Sequence, residues 1–360
     1  MSGNAFITPT FLIDYSQPSP FSDYRCVVNP TATVVLFERR IRQQTGVNPI
    51  TYGPFGPDVL YSLNLGQNGV PSGEPETFLA GSGLPSWSNR PDWCWRPGSG
   101  QTNVVAFNGP YNGVLSVFVV GSDGMNPTQL GETATEAMNY PTWFSGGASL
   151  AVMNALKSAS PHPNTSTIDP SNGDRTASAL AGKSMWAGMP SVPTNSDQIV
   201  FAGQLAQSSG SYNQDFNYIW LLDLSTKPPT LAPLENGAPS SGPFNPNWQG
   251  RAPWWSPDGK WVVFESNRPP PSGIAPPPLG TPTGLYSIYL YQVGGSGPAI
   301  QITDPNYNCN HAKWYPNGFA GYAPGDVTLI VAAKQVSAAV NPHAPYGLAS
   351  LNLSSLGLNF

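Results

Sequence analysis

The feature that most constrains this chain is a short unit that recurs along its whole length. The clearest copy is Ala252-Pro253-Trp254-Trp255-Ser256-Pro257-Asp258-Gly259-Lys260-Trp261-Val262-Val263-Phe264. It reads as strand, tight turn, strand: Pro257 fixes φ, Asp258-Gly259 supplies a side-chain acceptor and a φ > 0 position, and Trp261 restarts a β-rich run. The strand after the turn recurs as Thr33-Val34-Val35-Leu36-Phe37, Asn103-Val104-Val105-Ala106-Phe107, Ser149-Leu150-Ala151-Val152-Met153, Gln198-Ile199-Val200-Phe201 and Thr328-Leu329-Ile330-Val331. The strand before it returns in Trp95-Arg96-Pro97-Gly98 and Trp314-Tyr315-Pro316-Asn317-Gly318. Degenerate forms are Val28-Asn29-Pro30, Trp143-Phe144-Ser145-Gly146 and Val192-Pro193-Thr194-Asn195.

A third strand follows each pair, as in Val59 to Leu65, Leu285 to Tyr291 and Leu348 to Leu353, and a short fourth closes the unit, as in Ala299 to Thr303. Repeats of roughly 40 to 60 residues carrying four short antiparallel strands are blades of a β-propeller. The expectation is an all-β chain: one six-bladed propeller domain over residues 1–360, with blades near 24–80, 91–131, 139–180, 186–235, 251–304 and 311–360. The last blade lacks a fourth strand of its own. The N-terminal stretch 5–9, Ala5-Phe6-Ile7-Thr8-Pro9, resembles Ala299 to Pro305 and is expected to complete it, closing the ring and removing both free sheet edges.

The run from Trp255-Ser256-Pro257-Asp258-Gly259 through Phe264-Glu265-Ser266-Asn267-Arg268, followed by Ser287-Ile288-Tyr289-Leu290 and Gln301-Ile302-Thr303, resembles the repeat of TolB-like six-bladed propellers. The resemblance covers this blade closely and the other five as strand pattern with Trp or Pro landmarks. It implies a partner-binding propeller. The same repeat occurs in accessory domains of prolyl-oligopeptidase-like enzymes and in oligogalacturonate-lyase-like enzymes.

Composition fits short strands and turns: 41 Pro, 38 Gly, and only 10% charged residues. With a net charge of −5 and the only dense basic group at Arg39-Arg40 with Arg42, nucleic acid is not an expected partner. No apolar run approaches a membrane span. The N-terminus lacks the pattern of a secretory signal, which alone suggests the cytoplasm, whereas the low charge and Ser/Asn/Gly/Pro richness suggest a periplasmic, secreted or surface-assembled protein.

In such a ring the first-to-second-strand turns share one face with the third-to-fourth turns. The second-to-third loops lie on the other face, where the long insertions fall: Arg39 to Asp58, Lys157 to Asn164, Gln204 to Asn217, Arg268 to Thr283 and Gln335 to Pro345. Long loops on a rigid scaffold are where binding resides. The expected partner at this face is another protein or a carbohydrate, and self-assembly is a further reading.

Counting five residues back from each turn proline or its counterpart selects Arg25, Asp92, Tyr140, Met189, Ala252 and His311 for the channel mouth. His311, Arg25 and Asp92 come from neighbouring blades and form the catalytic candidate set, with His311 as base. Tyr140, Arg251, Lys313 and, at the start of a long loop, Arg268 are binding candidates. The plain alternative is an ion-paired, water-filled channel. Cys26, Cys94 and Cys309 fall in the same three blades, but alternation along the strands turns them to different sides, so buried free thiols are expected rather than a metal site, and no cofactor is expected. His162 and His343 lie in long loops. No hydrolase elbow, phosphate loop or zinc-protease motif is present. The first functional reading is a non-catalytic binding or scaffold propeller. The alternatives are a funnel enzyme of polysaccharide lyase or hydrolase type, and a structural subunit of a surface or particle assembly.

Overall fold

The computed structural model describes residues 6–15, 19–47, 50–66, 69–80, 87–94, 104–130, 136–144, 149–156, 164–177, 185–193, 197–205, 218–235, 250–268, 285–319, 324–336 and 344–360. Strand β1 (Thr10–Ile13) leads into blade one, built from β2 (Phe21–Val28), β3 (Val34–Val47), β5 (Val59–Asn64) and β6 (Glu76–Thr77), with β4 (Ile50–Phe55) paired only to the overhanging end of β3. Blade two is β7 (Asn89–Trp93), β8 (Val104–Tyr111), β9 (Val114–Gly121) and β10 (Thr128–Leu130). Blade three is β11 (Glu136–Trp143), β12 (Leu150–Leu156), β13 (Asn164–Ile168) and β14 (Arg175–Ala177). Blade four is β15 (Met185–Ser191), β16 (Gln198–Leu205), β17 (Tyr218–Asp223) and β18 (Thr230–Pro233). Blade five is β19 (Gly250–Trp255), β20 (Trp261–Ser266), β21 (Ser287–Gln292) and β22 (Ile300–Gln301). Blade six is β23 (Tyr307–Trp314), β24 (Thr328–Gln335) and β25 (Gly347–Asn352), completed by β1.

The ring is thus closed by an N-terminal strand, but by the stretch after the expected one. Thr10 pairs with Ser350 and Phe11 with Ala349. Ile7, in the segment expected to close the ring, instead forms a parallel bridge to Thr303 in blade five, its amide donating to the Ile302 carbonyl at 2.8 Å. The likeness of Phe6-Ile7-Thr8 to Ile300-Gln301-Ile302 lays the two side by side rather than making one replace the other.

Six apolar clusters hold the blades together, one at each blade-to-blade boundary. Trp93 packs with Val27, Leu36 and Leu60 between blades one and two, and Trp143 with Ala106 and Val117 between two and three. Phe144 meets Ile199 and Trp220 between three and four, and Trp255 meets Val200 and Ile219 between four and five. Trp314 joins Trp261 and Val263 between five and six, and Tyr315 and Ile330 join Cys26 and Phe37 across the closure. Indole donors reinforce the pattern, with Trp143 Nε1 donating to the Asp92 carbonyl and Trp314 Nε1 to that of Trp254, each at 3.3 Å. Removing such a fully buried Trp costs about 3–5 kcal/mol.

The opening motif is a turn. Ser256 Oγ donates to Asp258 Oδ1 at 2.6 Å and accepts from the Trp261 amide at 2.9 Å, while Gly259 takes φ 71°. Of the long loops on the opposite face, residues 157–163, 206–217, 269–284 and 337–343 lie outside the described residues, as do Trp95 to Gly98, His162 and His343. The first loop is described except at residues 48 and 49, and its strands β3 and β4 pair antiparallel, with Arg42 over the Tyr52 and Phe55 rings.

Candidate functional site: a ring of left-handed bulges

Each blade's innermost strand carries the same irregularity. In β2 the pairing passes from Tyr24 opposite Glu38 to Val27 opposite Leu36, so three steps on one strand match two on the other. The same shift occurs at Asn89/Asp92, Asn139/Thr142, Gly188/Ser191, Arg251/Trp254 and Asn310/Lys313. An extra residue of this kind is a β-bulge, which bends the strand and re-aims a side chain.

The first inserted residue is left-handed every time: Arg25 (φ 40°), Arg90 (54°), Tyr140 (54°), Met189 (54°), Ala252 (45°) and His311 (54°). None is glycine, so each carries a backbone cost of roughly 1–2 kcal/mol. The second inserted residue is proline at Pro91, Pro141, Pro190 and Pro253, where a missing N–H leaves no orphan donor. All six left-handed residues line one central cavity of about 50 Å³, together with Trp254 and Lys313. That is room for a few waters or a small group.

Five of the six residues selected by counting from the turns are therefore at the axis, and Asp92 is not. Arg90 takes the blade-two position. Asp92 is 2% exposed, and its Oδ2 accepts from the Trp143 amide at 2.9 Å in the interface with blade three. The error is one of register: Trp93, not Trp95, fills the interface position of Trp255. Aligning on the Pro-x-Trp run, as in Pro91-Asp92-Trp93 beside Pro141-Thr142-Trp143 and Pro253-Trp254-Trp255, points to Arg90 directly.

Three buried side chains that sequence reasoning overlooked hold the bulges in place. Each sits on the second strand of one blade and accepts from the left-handed amide of the next: Glu38 Oε1 from Arg90 at 2.5 Å, Asn108 Oδ1 from Tyr140 at 2.9 Å, and Glu265 Oε2 from His311 at 2.7 Å. All three are fully buried. Their sequence signal is a polar residue directly after the phenylalanine of that strand, in Phe37-Glu38, Phe107-Asn108 and Phe264-Glu265.

The two carboxylates also neutralise cations. Arg25 Nη1 donates to Glu38 Oε2 at 2.6 Å, and Arg251 Nε to Glu265 Oε1 at 2.8 Å, with the Arg251 guanidinium 4.1 Å from the Tyr286 ring centroid. Burial would raise the Glu265 carboxyl, but the His311 ring and amide and the Arg251 charge hold it below its ordinary range. Arg90 contacts Asn139 through Nη1, donates to the Tyr140 hydroxyl at 3.1 Å through Nη2, and lies 3.8 Å from that ring's centroid. Lys313 donates to the Pro91 carbonyl at 3.0 Å and sits 3.9 Å from the centre of the Trp254 ring. Burial lowers the Arg90 and Lys313 pKa values.

The His311 imidazole is pushed down to about 3, first by burial and then by Arg25, Arg251 and Lys313, against the pull of Glu265 3.8 Å from Nδ1. It is neutral at pH 7. Arg268 stands elsewhere, its guanidinium forked onto Glu235 at 2.9 and 2.6 Å and lying over Phe264 and Tyr289. The cysteines form no disulfide with one another and are buried in three different clusters, and burial pushes Cys26 up to about 12. No group of His, Cys, Asp and Glu with metal-ligand arrangement occurs among the described residues.

Six sheets around one axis, five of four strands and one of five, each turned by the same bulge, decide the architecture. This is the TolB-like propeller fold. A putative TolB from Agrobacterium tumefaciens superposes with a TM-score of 0.51 at 15% identity, over 81% of this chain and 83% of that one. An oligogalacturonate lyase from Vibrio parahaemolyticus gives 0.50 at 12% identity, over 98% and 99%. A puromycin-hydrolysing peptidase from Mycobacterium tuberculosis gives 0.50 at 13% identity, over 91% of this chain but 45% of that one. At these identities the likeness is one of fold. Comparison with family models finds no match, and comparison with curated proteins finds none either.

Proposed function

We propose that this TolB-like propeller is a non-catalytic binding module whose ligand or partner approaches the built-up loop face and is read at the axis by the ring of bulged residues. One observation carries this reading: the His311 imidazole lines the cavity beside Arg25 and Lys313, 3.8 Å from Glu265, and burial among these cations holds it far below its ordinary pKa. A group so far below neutrality is a weak base and holds no proton to donate at pH 7, whereas proton-transfer catalysis favours a pKa near the working pH. The small cavity supports the same reading, since its interior of about 50 Å³ suits a single functional group. The β3–β4 hairpin adds a wall on the loop face, with Val47 82% exposed at its tip.

The test compares the wild type with two variants: one in which residues 43–54 are replaced by a two-residue turn, and one in which 269–284 is shortened. Partners captured from the source organism by the wild type are expected to be lost from at least one loop variant and kept by Asp258→Ala, which alters the opposite face. Retention by both loop variants overturns the face assignment. Incubation with oligogalacturonate, followed by the absorbance of an unsaturated product, tests the alternative taken from the lyase neighbour. Turnover abolished in His311→Ala would overturn the non-catalytic reading.

A further inference from the structure

Two cations at the axis differ from the rest. Arg25 is paired with Glu38 and Arg251 with Glu265, whereas Arg90 and Lys313 touch no carboxylate among the described residues. Asp92 is the carboxylate whose charge Lys313 feels most, and its Oδ2 is engaged by the Trp143 amide. Donors are also left over. Arg25 and Arg90 each bury an Nε–H that meets no acceptor, and the Lys313 ammonium gives one proton to Pro91 and keeps the others. All three side chains line the same cavity. Buried cations without a counter-charge, and buried donors without an acceptor, are both costly, and one anionic acceptor answers both.

We propose that the central cavity binds a single carboxylate group, gripped between the Arg90 guanidinium and the Lys313 ammonium, with the Arg25 Nε–H as a further donor. The cavity of about 50 Å³ takes the carboxylate and little else, so the rest of the ligand lies outside it. A planar, two-oxygen anion suits a guanidinium and an ammonium that line one cavity. The aromatic faces of Tyr140 and Trp254 fix both cations in place before the ligand arrives, which lowers the ordering cost of binding. The carboxylate has two sources, a small organic acid or the terminus of a peptide chain. The inference rests on the binding reading only for the face of approach.

The experiment is calorimetric titration of the full chain at pH 7 and fixed ionic strength, with chloride as the reference anion. Sodium acetate is expected to bind, and Arg90→Gln and Lys313→Met are each expected to weaken it by about tenfold or more. A short peptide that binds with a free C-terminus and fails with an amidated one assigns the carboxylate to a chain terminus. Acetate binding without discrimination between the two peptides assigns it to a small acid. No acetate binding by the wild type, acetate binding undiminished in both variants, or binding of phosphate or sulfate in place of acetate overturns the proposal. The wild-type titration needs no variant to fold, and it is independent of the loop-trimming test, so either reading can fail alone.

Discussion

The ring of bulges has two halves with one backbone and two chemistries. Blades six, one and two present His311, Arg25 and Arg90 to the axis; blades three, four and five present Tyr140, Met189 and Ala252. The φ values span only 40° to 54°, and the register shift is the same in every blade. What separates the halves is what lies behind the bulges. Glu38 and Glu265 cap the Arg90 and His311 amides and neutralise Arg25 and Arg251 as they do so, while Asn108 caps Tyr140 without charge. At the amide of Ala252 the acceptor is the Met189 sulfur at 3.3 Å. Repetition builds the geometry, and departure from it concentrates the charge.

The comparison breaks most visibly at Glu265. Glu265→Ala strips the buried Arg251 of its partner and the His311 amide of its acceptor, and it is expected to cost about 3–5 kcal/mol by urea unfolding. Asn108→Ala removes a neutral cap at the same strand position and should cost about 1–3 kcal/mol. If the two losses are equal, charge does not distinguish the halves.

Acid is the next discriminator. His311 has a folded pKa of about 3 against an ordinary 6.5, so below pH 6.5 the unfolded chain takes up a proton that the folded chain refuses. Its contribution to stability is therefore complete above pH 6.5 and declines as pH falls toward 3. Glu265, with a lowered folded pKa, adds a loss at the acid end, below its ordinary 4.5. Between pH 7 and 4.5 the wild type should lose about 2 kcal/mol more stability than His311→Gln, measured as urea midpoints at the two pH values.

The smallest effect sharpens the comparison from the neutral side. Ala252 is strained at φ 45°, and its short side chain adds no hydrogen bond. Ala252→Gly should leave stability unchanged or raise it by about 0.5–1 kcal/mol, because relief of the left-handed strain exceeds the added chain entropy. A loss would show that the methyl group packs at the axis.

The blades were legible because a Trp or Phe at each boundary and a β-branched second strand repeat at the spacing the ring requires. The N-terminal closure was legible as a missing strand, though not as Thr10–Ile13, since Phe6-Ile7 is the closer likeness to a fourth strand and lies against blade five instead. Arg25, Tyr140 and His311 followed from counting back along strands. Arg90 did not, because Pro97 is out of step with Pro257 by the two residues that separate Trp93 from Trp95. Glu38, Asn108 and Glu265 were passed over for another reason, although each follows a phenylalanine in its strand. A polar side chain at the centre of an apolar strand makes sense only once a bulge in the neighbouring blade has left an amide to be satisfied, and no single strand's sequence announces that.

The pairing of Thr10 with Ser350 joins positions 340 residues apart. During synthesis β1 is made before the other strands of the ring, and its partner β25 after all of them. Until β25 is made, β1 has no partner in its blade and the growing stack of blades keeps an open edge. The ring therefore closes in a single late docking step that is slow by its topology and sensitive to anything else that can occupy that edge.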